Sequence, residues 1–581
     1  MSTSHTAVPI DLPYPRPARA ALVQDAVVLA LLGLVIGLAC RGHFVMPYAD
    51  FFDYIESGHA LLAGTLPASL KRPPVFGVLV VGLSRFVPLE AAERVVAEWL
   101  NALLLPVNGL LVYLVGRRWF GPAARWVAAW FLLLPIGMFC TAHLIAEPLL
   151  TAFMLLTLWA AQRGTNGAYV LAALATMTRY DAAGLILGVA LADRLRGRRM
   201  RAVCGRAAFA TTPLGVWMLL TAFTWSTSSQ DHYLTRAAEQ WQGFRPLESL
   251  ALLWNAVFDP ELGRIRAWSF LPDQLLPRLA ALLGGGTLIL GAARGVRQRD
   301  AATVVAVVAL AGYALVHALI PFRIPRYGYP AAPLALLLMA SGLSVAGRWF
   351  RLRDPHGHAR RALLFVGGVL VVVALLDESR AAAVASAGPT RLANRLQLLP
   401  LLMVVLLWAA PLLRRGRRLG QIVLVLGVAL LTKWQISNAA GLVGRGDSLR
   451  NEVAAALWIR THAAPHERAL APTPGLLRLY VGREPPDRFV SFGDIAARAW
   501  PDILAECRSR GIRYIIWHED VAAEYGDYYA ARSGLDRFAL LAHPEDVPGV
   551  EVVRRLPRHP TLVILRVTDA DAERTDPAET H

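Results

Sequence analysis

Long apolar runs broken by short polar loops set the pattern of this chain. Residues 22–40, "LVQDAVVLALLGLVIGLAC", are the first. A helix needs roughly 20 such residues to cross about 30 Å of hydrocarbon. Comparable runs recur near 93–115, 124–141, 148–162, 167–177, 182–192, 203–225, 275–293, 301–320, 328–346, 362–376, 396–413 and 419–435. They predict an all-α polytopic membrane domain over 22–435 with about 13 transmembrane helices. No small-residue cleavage site follows the first run directly, so it reads as an anchor. The segment "PPVFGVLVVGLSRFVP" (73–88) is apolar but only about 16 residues long, which suits a helix lying at the outer surface. Residues 41–92 then form one outer loop. Runs 167–177 and 182–192 are short for a bilayer, which sinks the "TRYD" between them below the outer surface.

After residue 435 the period changes. "LRNEVAAALWIRTHAAPHERALAPTP" reads as an amphipathic helix and a short strand. "PDILAECRSRGIRYIIWHED" reads as a helix, Gly511 and the strand "IRYIIWH", and "GVEVVRRL" and "TLVILRVT" read as two more strands. Helices alternating with apolar strands predict a small α/β domain over 436–568. Residues 1–21 form an N-terminal tail, and 569–581 an acidic, polar, disordered one.

Charge sets the orientation. The chain has 59 Lys and Arg against 42 Asp and Glu, a net charge of +17. Much of the Arg lies in short loops: "GRRWFGPAAR" (116–125), "DRLRGRRMR" (193–201), "RGVRQR" (294–299) and "RRGRR" (414–418). Such loops mark the cytoplasmic side. The N-terminus is then cytoplasmic, and an odd number of spans puts the α/β domain on the extracytoplasmic side of an inner (plasma) membrane. Nucleic acid is excluded as a partner, because it needs a contiguous basic face. Cys40, Cys140, Cys204 and Cys507 show no metal-ligand spacing. They read as isolated thiols, with a Cys40–Cys140 bridge as the alternative.

The polar chemistry concentrates beside the apolar runs. "MPYADFFDYIESGHALLAG" (46–64) places Asp50, Asp53 and Glu56 just after the first span. A charge at the bilayer centre costs roughly 2.5–3.5 kcal/mol, so these acids belong in water or a wet cavity. On a helix, Phe51, Ile55, Gly58 and Leu62 make one apolar stripe, and Asp53 and Glu56 lie opposite it. Two readings of Asp50 stay open, a helix N-cap or a reactive carboxylate. The same membrane side receives His143 and Glu147 from "CTAHLIAEP", Arg179 and Asp181 from "TRYD", Arg323 and Arg326 from "PFRIPRYGYP", and Lys71 and Arg72 from "LKRPP". Singly, such acids suit helix N-termini and such cations suit snorkelling anchors. Together they suit a phosphate-bearing lipid. Guanidinium forks hold phosphate, and a carboxylate takes a proton from a hydroxyl or holds a cation with a second carboxylate.

In order along the chain, "DFFDYIESGHALLAG", "KRPPVFGVL", "AEPLLTAFMLLTLW", "TRYDAAGL" and "PRYGYPAAPLALLL" resemble the motifs of the GT-C membrane glycosyltransferases. The likeness is to the branch with protein O-mannosyltransferases and lipid A aminoarabinose transferases, glycosyltransferase family 39-like, and covers roughly residues 20 to 350. It implies transfer of a sugar from a polyprenyl-phosphate carrier to an extracytoplasmic acceptor, with inversion. Asp50 matches the family's catalytic Asp, with Asp53 and Glu147 as further catalytic acids. Arg326 matches the Arg that meets the lipid phosphate, with Arg323, Arg179, Lys71 and Arg72 as further phosphate ligands. Asp50 and Glu147 could also hold a divalent cation, Mg or Mn. Phe51 stands where many members carry Glu, leaving Asp53 or Glu56 to replace that acid. Two other classes stay open: a multi-pass transporter of an anionic or lipid-linked substrate, and a catalytically inactive membrane scaffold. Transporters place ionisable groups near the midplane and often carry inverted repeats, and no repeat is visible here.

Overall fold

The computed structural model describes residues 19–41, 49–67, 72–88, 92–225, 275–319, 325–353, 450–471, 477, 488–495, 499–518, 543–556 and 561–568. The chain divides into two units, Met1–Cys40 with Leu100–Thr141 and Ala146–Ala439, and Arg41–Trp99 with Ala142–Ile145 and Ala440–His581. In chain order the described helices are α1 (Arg19–Cys40), α2 (Ala49–Leu62), α3 (Val75–Ser84), α4 (Ala92–Phe120), α5 (Ala124–Leu132), α6 (Pro135–Ala142), α7 (Glu147–Arg163), α8 (Gly167–Thr176), α9 (Gly184–Leu195), α10 (Met200–Trp225), α11 (Leu275–Arg297), α12 (Ala301–Leu319), α13 (Ala332–Arg353), α14 (Arg450–His462) and α15 (Trp500–Ser509).

The first unit is helical. Among the described residues four segments are long and apolar enough to cross a membrane: Leu22–Cys40, Ala92–Leu132, Met200–Leu220 and Ala301–Leu319. The run at 124–141 forms two helices, because Pro135 opens α6 and cannot donate to a preceding turn. The α8 and α9 helices have 10 and 12 residues. At 1.5 Å per residue they reach about 15–18 Å, half the hydrocarbon thickness. The turn joining them is packed inside protein, with Asp181 buried. At the opposite end of α7, Arg118, Arg196 and Arg198 donate to its last carbonyls at Gln162, Ala161 and Gly164, at 2.8, 2.7 and 2.6 Å. These loop arginines therefore cap a helix C-terminus as well as carrying the charge bias. The expected runs at 362–376, 396–413 and 419–435 lie outside the described residues, as do the tails 1–18 and 569–581.

The second unit holds the loop helices and the sheet. Its strands are β1 (Arg468–Ala471), β2 (Phe489–Ser491), β3 (Ile512–His518), β4 (Val550–Leu556) and β5 (Leu562–Val567), in the order β2-β1-β3-β5-β4. The β1 strand pairs in parallel with β2 and β3, and β5 pairs antiparallel with β3 and β4. Side chains alternate between faces. Ile515, Val563 and Leu565 pack with Trp500, Leu504 and Cys507, the last three from α15. Tyr514, Ile516 and Ile564 pack with Val453, Ala456 and Ile459 of α14. Helices thus cover both faces, as expected for a small α/β layer. Gly511 ends the α15 segment at φ +69, a left-handed conformation, and its N–H donates to the Arg508 carbonyl. The short β2 was not visible in the sequence pattern.

The apolar run at 73–88 yields only the 10-residue α3, which packs Phe76, Gly77, Val80 and Val81 inward. It approaches α2 tightly at Gly77, where an added Cβ would collide with the Tyr54 carbonyl oxygen. Gly77→Val is therefore expected to destabilise the protein by at least the roughly 1–3 kcal/mol of an overpacked core, read as a lower thermal midpoint.

Candidate active site

The α2 helix starts one residue before Asp50. Asp50 thus sits in the first turn of α2, not ahead of it. Phe51, Tyr54, Ile55 and Ser57 are buried, and Glu56 on the other side is exposed. Phe51 meets Phe52 and Phe76 edge-on, with ring centroids 6.0 and 6.5 Å apart. The position where many of the family carry Glu is therefore core in this chain. Asp50 Oδ1 accepts from Arg72 Nη2. Asp53 Oδ2 lies 3.7 Å from Arg72 Nε. Of the two acids proposed to replace a Glu at position 51, Asp53 is the one that shares a guanidinium with Asp50. At the far end of α2, His59 Nε2 lies 3.0 Å from Glu93 Oε1. Phe52, between the two aspartates, packs against the apolar cluster of α14 and the sheet.

A second cluster belongs to the first unit. Glu147 is the first residue of α7, followed by Pro148, so its carboxylate lies at the positive end of the helix dipole. Asn108 of α4 donates to the Pro148 carbonyl at 3.0 Å and fixes that end. Arg179, in extended backbone ahead of the 3-10 turn Tyr180–Ala183, reaches both acids. Its Nη1 donates to Glu147 Oε1 at 3.0 Å, while Nε and Nη2 both donate to Asp181 Oδ2 at 3.1 and 3.0 Å. Arg326 Nε lies 3.6 Å from Glu147 Oε1. The 3-10 turn Pro325–Gly328 delivers it. All these side chains are nearly out of solvent, at 1% for Glu147, 3% for Arg326, 5% for Asp181 and 11% for Arg179. Arg179 and His317 both face the Asp181 carboxylate and compensate its charge in this buried turn.

Sequence reasoning missed the aromatic and imidazole wall of this cluster. His317 Nε2 lies 3.4 Å from Asp181 Oδ2. Its ring sits 4.5 Å from Tyr313 and 5.2 Å from Tyr327. The Tyr327 ring also lies under Arg179, 4.7 Å from the guanidinium carbon. The available signal was Tyr313 and His317 at i, i+4 in an apolar helix, since an ionisable group in such a helix points to function. Lys71 and Arg323 lie outside the described residues. His143 is buried in the Ala142–Ile145 segment of the second unit.

Two guanidiniums against two carboxylates make the first-unit cluster balanced before any ligand arrives. In the second unit Arg72 faces both aspartates. As they stand, these donor sets do not fit a divalent cation: each candidate carboxylate is already matched by a guanidinium. Among the described residues no three His, Cys, Asp or Glu side chains gather as metal ligands.

The chain is similar in structure to ArnT from Cupriavidus metallidurans. The structure bound to undecaprenyl phosphate is 14% identical, covering 94% of this chain and 98% of that chain, with a TM-score of 0.52. The apo state is 15% identical over the same shares, with a TM-score of 0.53. This chain shares the fold of these ArnT structures. At such low identity the likeness is one of architecture. The oligosaccharyltransferase of Archaeoglobus fulgidus, tethered with an acceptor peptide, is 11% identical over 89% of this chain and 71% of that chain, with a TM-score of 0.48. No family model and no curated protein matches the chain.

Proposed function

We propose that this protein is an integral membrane glycosyltransferase. It moves a sugar from a polyprenyl-phosphate carrier to a hydroxyl of an extracytoplasmic acceptor, with inversion. The observation that carries this reading is the buried Glu147–Arg179–Asp181–Arg326 network, set in a chain with the architecture of ArnT. ArnT has been solved with undecaprenyl phosphate bound, which supports a lipid phosphate as the ligand here. In this reading the acceptor oxygen attacks the anomeric carbon as the bond from that carbon to the phosphate oxygen breaks. The polyprenyl phosphate leaves with the electron pair, and the acceptor proton passes to a carboxylate, the role that the order of motifs along the chain gives Asp50. Arg72 and Asp53 orient Asp50. Arg326 and Arg179 meet the phosphate, where charge grows as the bond breaks, and this suits a leaving group that needs charge stabilisation more than a proton. Glu147 aims both guanidiniums, while Arg323 and Lys71 add positive charge.

The same reading gives about 13 spans with the N-terminus cytoplasmic and the α/β domain outside the inner membrane. Cys204 lies in the second turn of α10, close to the Arg-rich loop 193–201, and is exposed, while Cys40, Cys140 and Cys507 are buried. Burial, reinforced by Glu506, pushes the Cys507 thiol up to about 12 and keeps it unreactive. A membrane-impermeant maleimide is expected to label Cys204 from the cytoplasmic face alone. Labelling from outside would invert the topology.

The function itself is tested by glycan and lipid analysis of cells lacking the chain. One missing envelope sugar, with its polyprenyl-phosphate donor accumulating, is expected. An unchanged glycan and lipid profile would count against it.

A further inference from the structure

Asp181 Oδ2 is the hinge of the first-unit cluster. It accepts two N–H groups from Arg179, Nε at 3.1 Å and Nη2 at 3.0 Å, and His317 Nε2 faces the same oxygen at 3.4 Å. With Nε and Nη2 committed on one edge, the guanidinium plane has one remaining direction for Nη1, and that is Glu147 Oε1 at 3.0 Å. Glu147 Oε1 in turn faces Arg326 Nε at 3.6 Å. A chain of contacts therefore runs from α12 through the 179–183 turn and the start of α7 to the 325–328 turn. His317 is its origin. Its side chain is 2% exposed, and it is gripped between Tyr313 on its own helix and Tyr327 on the Arg326 turn. The imidazole cannot swing away without moving one of those rings.

We infer that His317 is a positioning residue for the phosphate-binding arginines: by holding Asp181 it fixes the plane of Arg179, and through Glu147 the place of Arg326. It touches neither the acceptor nor the sugar. The inference rests on the proposed function, because it assigns these arginines to the donor phosphate. It is specific to a donor at position 317 and not to bulk, since phenylalanine fills the same space without an N–H. Glutamine keeps an N–H at similar reach.

The test uses the full-length protein in lipid nanodiscs, with undecaprenyl phosphate as the binding probe and, once a donor is in hand, steady-state transfer. His317→Phe is expected to weaken undecaprenyl phosphate binding about tenfold and to lower kcat/KM for the donor in proportion, as loss of a supporting contact behind a ligand-holding group does elsewhere. His317→Gln is expected to restore both to near wild type. A double variant with Asp181→Asn is expected to be no worse than Asp181→Asn alone, because the two act through one path. If His317→Phe binds and transfers as wild type does, or if His317→Gln is as impaired as His317→Phe, the inference is overturned. Wild-type protein that neither binds undecaprenyl phosphate nor transfers sugar would instead overturn the proposed function.

Discussion

Asp50→Asn is expected to insert and fold like the wild type and to transfer sugar about 10²–10⁴-fold more slowly, the usual contribution of a positioned general base. The substitution keeps size and one oxygen but removes the proton-accepting charge. It also loosens Arg72, which is shared between Asp50 and Asp53. Asp53→Asn keeps the base and weakens only its orientation, so a smaller loss is expected there. The ranking matters more than either value. If Asp53→Asn were the more damaging change, the proton would pass to Asp53, and Asp50 would be the orienting partner. Wild-type rates in both variants would remove α2 from the chemistry.

Arg179→Gln is expected to cause the largest loss of stability among single changes near the site. Its side chain lies between Glu147 and Asp181, both almost fully buried. Taking one partner out of a buried ion pair costs about 3–5 kcal/mol, because the charges left behind are neither hydrated nor matched. The thermal midpoint in nanodiscs should fall by several degrees, and undecaprenyl phosphate binding should be lost. Arg179→Lys is not expected to rescue either property, since one ammonium cannot present three N–H groups in one plane to two carboxylates. The double variant Arg179→Gln/Asp181→Asn separates the two effects. Removing the stranded carboxylate should recover much of the midpoint while binding stays absent. Recovery of binding in that variant would show that Arg179 serves the fold alone.

Helix positions were legible wherever an apolar run was long and its ends were polar. The run at 22–40 became α1, and 301–320 became α12, within a few residues. The break at Pro135 was present in the sequence, but an apolar run on both sides hid it. In the α/β domain, "IRYIIWH" and "TLVILRVT" have enough residues to show alternation, and both are strands. β2 has three residues, too few for any period to register. The site was legible as a set of residues and not as a set of partners. Arg72 lies 22 positions from Asp50, Arg179 lies 32 from Glu147, and nothing local links them. Tertiary packing decides which acid meets which guanidinium. It also turned Phe51 from a puzzle at a motif position into core. His317 was passed over because one imidazole in a 19-residue, mostly apolar helix stands out only when it is paired with Tyr313 one turn earlier.

The most direct test is a single reconstitution. Purified protein in lipid nanodiscs is mixed with the lipid-linked sugars extracted from cells that lack it, and the lipids are followed by mass spectrometry. The account predicts that one polyprenyl-phosphate sugar disappears as polyprenyl phosphate appears in equal amount, provided envelope acceptor is present, and that Asp50→Asn protein leaves it intact. A lipid-linked sugar pool that wild-type protein leaves unchanged in the presence of acceptor would contradict it.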